Sequence, residues 1–562
     1  MKSVVMQIEK KKGKIWFSFL MNLVVLLLMM ALMHPEFETN DDSFIKMLVS
    51  GAMGSLEART MCQHYFLGVF HNFLYGVFGN GISWYALLQH IVLLVSFTII
   101  TYIILNKFKT KTALWIIGLI WVYFGYGCYV TMQYTKTSGM ATAAAAFLLF
   151  YSATKDKISY KGLVGAWLLG AVGYMYRNNE FAIVLALMTG IGLFLLLDLK
   201  AFPKNERLKR VLTGLGVYGL MALTGAGLFA VDLYMYKSDP EWAYYWDYNN
   251  QRSAVMDYEI PDYEKNKEAF QKLGISENAY ELYMCWNFND TEKMTSDTWR
   301  GIIALQSEKP SLFTAAKNYL KKFPAAFFDL AIFYAALLFL VLWLFWGKHD
   351  HRTVLTALYE ILIFMLGYFF LFYNGRYLMN RVDTGLWMAF CLVFIWLLSQ
   401  KEMKLSERAG MVLLLGIFII NQRTWSESWR MNVSEKLEKN RQGQEVFKTI
   451  SEDKEHLYLA MVGPLSNICF SPYDVVEKGF EENVAWLGGW ETNMVSINRR
   501  MENYGVRNPF RDIVDNDRVY LIGNDAVLIE KYIQEYYDED AKAEEVNQIN
   551  GLKVYRFLTE KE

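Results

Sequence analysis

The stretch "IWFSFLMNLVVLLLMMALMHPEFETNDD", residues 15–42, joins an apolar run to four carboxylates, Glu36, Glu38, Asp41 and Asp42. The apolar part comes close to the roughly 20 residues that cross the hydrocarbon of a bilayer. A signal peptide is the competing reading. The length of the run favours a retained span, and "HPEFE" has no small-x-small cleavage site. What the acids do then depends on which side of the membrane they reach.

Composition alone does not set the class: 54% of the 562 residues are hydrophobic, against about 45–50% in soluble domains. Distribution does. Apolar stretches recur at 15–33, 83–105, 112–130, 138–154, 162–176, 181–198, 211–231, 325–346, 353–373, 384–399 and 407–421. The expected fold is thus a polytopic α-helical membrane protein with about 11 transmembrane helices. Cytoplasmic loops carry an excess of lysine and arginine. The N-terminus has Lys2, Lys10, Lys11, Lys12 and Lys14, and alternate loops read "NKFKTK", "ATKDKISYK", "LKAFPKNERLKR", "WGKHDHR" and "SQKEMKLSER". The N-terminus is therefore expected inside, with 34–82, about 232–324, 374–383 and 422–562 outside. Cys62, Cys128, Cys285, Cys391 and Cys469 are scattered, without disulfide or metal-ligand spacing.

The first external loop is semi-apolar and aromatic in "SFIKMLVSGAMGSLEAR" and "YFLGVFHNFLYGVFGNGISWY". Both segments are expected as short helices lying in the membrane interface. The long loop opens on "EWAYYWDYNNQR" and continues as amphipathic helix and turn; its aromatic content argues against disorder. Beyond 422 the composition is soluble. A charged helical stretch precedes the strand candidates "HLYLAMV" and "RVYLIG", the helix "DAVLIEKYIQEYYDED" and a hairpin at Asn550–Gly551. The expected domains are a membrane domain, 1–421, and a small extracytoplasmic α/β domain, 422–562, without a Gly-rich phosphate loop.

Asp41 and Asp42 thus sit outside, just past the first span. One reading makes them the N-cap of the following helix; the other makes one of them a general base acting on an acceptor hydroxyl. Arg177 and Glu180 in "YMYRNNEF", and Arg376 and Arg381 in "YNGRYLMNRVD", lie on the same outer face. They are either interface anchors or a site for a lipid phosphate, which arginine recognises bidentately. Gly375, before Arg376, would let the backbone approach a ligand. His64 and His71 read as packed or interfacial histidines rather than ligands.

With "NDDSFIKMLVSG", "HNFLYGVFG" and "SWY" in the first external loop and "NNQRSAVMDYEIPDY" in the long one, the chain resembles the GT-C class of integral-membrane glycosyltransferases, including uncharacterised bacterial members. The resemblance implies transfer of a sugar from a polyprenyl-phosphate donor to a cell-envelope acceptor at the external face of a bacterial plasma membrane. It implies catalytic Asp41 and Asp42, with Asp41 as base and Asp42 capping, binding metal or holding sugar hydroxyls. Arg376, Arg381 and Arg177 would bind the donor phosphate, and Glu180, Arg252 and His64 would line the substrate site. A divalent cation, Mg or Mn, stays open, since no complete ligand set is visible. The implied partners are the polyprenyl-phosphate-linked sugar, a glycan or lipid acceptor and membrane lipids, with no nucleic acid. The alternatives are a flippase of lipid-linked saccharide, a polysaccharide polymerase or ligase, and a non-catalytic scaffold.

Overall fold

A computed structural model describes residues 11–328, 331–376, 379–402, 437–463 and 471–559. The expected span 407–421, the domain boundary at 421/422 and Cys469 lie outside them. Seven described helices are long and apolar enough to cross a membrane: Gly13–Leu32, Trp84–Lys107, Thr110–Tyr129, Asn178–Leu197, Lys204–Lys237, His351–Tyr373 and Asn380–Leu398. The expected 138–154 and 162–176 are also helical, as Tyr134–Thr154 and Tyr160–Tyr176, and 325–346 is matched by Ala331–Trp346. The count of about eleven spans is not confirmed.

Tyr134–Thr154 is the centre of the bundle, enclosed by other helices and buried from Tyr134 through Phe147. Its "GMATAAAAF" run explains this, because small side chains let helix backbones approach closely. A methyl group on Gly139 would lie 2.6 Å from the Cα of Gly385, and one on Gly173 would lie 2.5 Å from Thr142 Oγ1.

The two ends of the bundle separate by chemistry. At one end Arg210 donates to the carbonyls of Ala153, Lys155 and Asp156, Arg352 pairs with Asp198, and Lys109 pairs with Glu402. The cationic loops therefore gather together. At the other end the segments expected outside share one hydrophobic core. It includes Met47 and Leu48 from the first loop, Trp242, Tyr245, Phe288 and Trp299 from the long loop, and Leu459, Ile522 and Phe557 from the C-terminal region.

The C-terminal region carries a five-stranded sheet formed by β3 (Leu457–Ala460), β4 (Val484–Trp486), β5 (Val519–Gly523), β6 (Ala541–Ile549) and β7 (Leu552–Thr559), in the order β4-β3-β5-β7-β6. The β3–β4 and β3–β5 pairs are parallel, while β5–β7 and β6–β7 are antiparallel. Asn550 (φ 46°) and Gly551 (φ 84°) supply the left-handed pair that a tight β6–β7 turn requires.

In the first external loop, β1 (Glu36–Phe37) pairs in parallel with β2 (Thr131–Met132), and helices α1 (Asn40–Ser50) and α2 (Tyr65–Phe78) follow. Only α2 matches the interfacial expectation. It exposes Phe66, Val69, Phe70, Phe73 and Val77, spaced along one helical face. α1 is instead covered by the C-terminal region. Lys46 Nζ donates to the carbonyls of Ser471 and Asp474, and the Gly51 and Ala52 carbonyls accept from the amides of Gly479 and Glu481.

Candidate functional site

Thr39, in extended conformation, precedes α1 and makes no side-chain cap bond. Asp41 and Asp42 lie inside the first turn, so neither is the N-cap. The cap reading is corrected: their negative charge meets the helix dipole instead. The two side chains then diverge, as side chains about 100° apart around a helix must.

Asp42 is fully buried. Its Oδ1 accepts from Tyr85 Oη at 2.8 Å, Gln89 Nε2 at 3.0 Å and the Tyr134 amide at 3.2 Å. Burial pushes its carboxyl up to about 8, against the opposing effect of those bonds. It ties α1 to Trp84–Lys107 and Tyr134–Thr154, and it presents no oxygen to solvent. Glu38 likewise faces inward, paired with Lys136.

Asp41 is half-buried, and its Oδ1 accepts from Trp490 Nε1 at 3.2 Å. Arg177, in an extended residue between Tyr160–Tyr176 and Asn178–Leu187, lies within electrostatic reach of Asp41, Tyr134 and Asp257. Its guanidinium stands 5.7 Å over the Tyr134 ring and donates to the Cys62 carbonyl at 3.3 Å.

Asp257 joins two more of the expected arginines. Its Oδ1 lies 3.6 Å from Arg252 Nη1, and its Oδ2 lies 3.5 Å from Arg376 Nη2. Arg252 is buried, forked onto Asn249 Oδ1 and 5.9 Å over the Trp286 ring. Arg376 is half-buried and stacks 4.3 Å from the centre of Tyr258. Gly375 (φ 71°) serves the helix end: its amide bonds the Phe372 carbonyl and that of Arg376 bonds Leu371. That conformation gives the glycine a structural reason independent of any ligand.

The remaining expected residues stand apart. Arg381 sits in the first turn of Asn380–Leu398, where its contact is with Met379 Sδ at 4.0 Å. Glu180 is buried in the bundle between Gly139 and Gly385, within electrostatic reach of Asp383 and Arg177. His64 is the N-cap of α2. Its Nδ1 accepts from the Phe66 amide and its Nε2 meets the Leu228 carbonyl at 2.9 Å, so both ring nitrogens are committed to structure. His71 is fully buried, a packed histidine as expected. No group of three His, Cys, Asp or Glu side chains that could hold a metal occurs among the described residues.

Asp257 and Trp490 were not singled out from sequence. Asp257 falls within the quoted "DYEIPDY" run, and its importance comes from arginines on other elements. Trp490 is 449 positions from its partner, and no local pattern links the two.

No family model and no curated protein matches the chain. A solved structure, ArnT from Cupriavidus metallidurans bound to undecaprenyl phosphate, is similar over 97% of this chain and 98% of its own. The two share 10% sequence identity at a TM-score of 0.40. At that distance the bound lipid is a fact about that protein alone.

Proposed function

We propose that the protein is a multi-pass membrane glycosyltransferase that moves a sugar from a polyprenyl-phosphate donor to a cell-envelope acceptor at the outer face. Residues 1–421 form the membrane domain in this reading, and 422–562 the extracytoplasmic domain. Support comes from the acidic-pair resemblance and, above all, from the division of labour in that pair. Asp42 is spent on packing, whereas Asp41 keeps partial access to solvent with Arg177 nearby.

Asp41 takes the proton of the acceptor hydroxyl as its oxygen bonds to the anomeric carbon. The bond from that carbon to the phosphate oxygen breaks, and the electron pair leaves with the polyprenyl phosphate. Arg177 and Arg376 offset the developing negative charge, and Arg252 shares Asp257 with Arg376. Asp257 holds Arg252 and Arg376 in place until the phosphate arrives. Glu180 and His64 shape the surrounding scaffold.

The test is Asp41→Asn, assayed for release of polyprenyl phosphate from lipid-linked sugars extracted from the host membrane. The expected rate loss is about 10²–10⁴-fold, the range for removal of a general base, with thermal stability near wild type. A fully active variant rejects the assignment. Release of polyprenyl pyrophosphate by the wild-type protein instead would point to a polymerase or ligase.

A further inference from the structure

Trp490 is the meeting point of three parts of the chain that lie far apart in sequence. Its indole donates to Asp41 on α1, and its ring packs edge-on against Phe44 of the same helix, with centroids 4.6 Å apart at 85°. Asp41 and Phe44 are three residues apart and so share a helix face. From the long external loop, Tyr245 Oη donates to the Trp490 carbonyl at 2.7 Å.

The segment that carries Trp490 is firmly held. The Leu487 carbonyl accepts from the amides of both Phe288 and Asn289, at 2.7 and 2.8 Å. A methyl group on Gly488 would lie 1.6 Å from the Trp286 carbonyl oxygen, so only glycine fits there. Trp286 itself has φ 63°, Gly489 has φ 93° and Asn493 has φ 64°. A bulky residue in the left-handed region is uncommon, and such strain persists where the surroundings over-determine it, often at functional sites. Here the strained Trp286 lies against Gly488, two residues before one half-exposed indole.

Resting on the reading of Asp41 as base, we propose that Trp490 is its positioning residue, which makes the C-terminal region part of the active site rather than an appendage. The indole N–H engages Oδ1 and leaves Oδ2 for the acceptor hydroxyl. The other groups facing Asp41 are Asp42 on its own helix, Arg177 from the turn before Asn178–Leu187, Tyr134 at the head of Tyr134–Thr154, and Cys62 from the loop after α1. Among them Arg177 alone adds positive charge, so the indole is the directional contact that fixes the carboxylate.

Full-length protein in detergent micelles is assayed for release of polyprenyl phosphate from lipid-linked sugars, with kcat and KM separated and binding of undecaprenyl phosphate measured on the same preparation. Trp490→Phe keeps a ring against Phe44 and removes the N–H donor. It should lower kcat about tenfold, the effect of losing one hydrogen bond to a charged group, while KM, lipid binding and the unfolding temperature stay at the wild-type level. A wild-type kcat in a folded Trp490→Phe protein overturns the proposal, and so does a loss that appears in KM or lipid binding instead of kcat. Tyr245→Phe, which loosens the Trp490 carbonyl, should lower kcat in the same direction by less. If Trp490→Phe does not fold, a wild-type kcat in Tyr245→Phe overturns the proposal in its place. Full activity in Asp41→Asn would separately reject the reading of Asp41 as base, whatever Trp490→Phe does.

Discussion

Near neutral pH the Asp42 carboxyl, pushed up to about 8 by burial, is largely protonated in the folded protein and ionised when the chain is unfolded. The folded state therefore binds the extra proton. Stability falls as pH rises from about 4, the unfolded value, toward the folded value of about 8. Asp42→Asn copies the neutral acid. Its amide oxygen can still accept from Tyr85, Gln89 and Tyr134. Thermal unfolding of Asp42→Asn should match or exceed wild type at pH 8 and lose much of the decline between pH 5 and 8; a steep destabilisation at pH 8 would refute the protonated assignment. The sequence makes this pair stand out, because four acids beside an apolar run are conspicuous. It could not divide the roles, since both residues are the same amino acid in the same turn, and only the packing of Tyr85 and Gln89 onto one of them tells the two apart. Arg252 and Arg376 were visible as cations on the outer face, whereas Asp257 between them was one acid among many.

At the level of helices, hydropathy marked the apolar helices but missed where they touch. Asn380–Leu398 starts a turn earlier than the apolar run at 384–399, which draws Asp383 into the helix and under the Tyr368 hydroxyl at 2.6 Å. Gly385, two residues on, lies against Gly139, with the Glu180 side chain packed beside the contact. A methyl group on Gly385 would lie 2.8 Å from the Gly139 Cα and 2.1 Å from Glu180 Oε1. Backbone cannot yield as a flexible side chain can, so the helices must part. Gly385→Ala is expected to cost about 1–3 kcal/mol, the usual range for overpacking, read as a lowered unfolding temperature in detergent. Gly216, with open space around its Cα, serves as the control and should tolerate alanine.

For the whole molecule, the alternation of apolar and cationic segments makes the two ends of the bundle legible in sequence, and the ion pairs among the cationic loops agree with it. The common outer core was not legible. Met47, Trp242 and Phe557 are brought together by tertiary packing across hundreds of residues, and no periodicity encodes that. Removing residues 437–562 should therefore expose α1 as well as delete the sheet. The 34–82 loop of the truncated protein should be cut by externally added protease under conditions that leave the intact protein whole; equal resistance would mean that the loop is shielded independently. The shared core also constrains biogenesis. The first external loop leaves the translocon hundreds of residues before its cover, and at about 5–20 residues per second the wait lasts tens of seconds. Throughout that interval Met47 and Leu48 have no finished shelter, so the last strands to emerge complete the burial of one of the first loops.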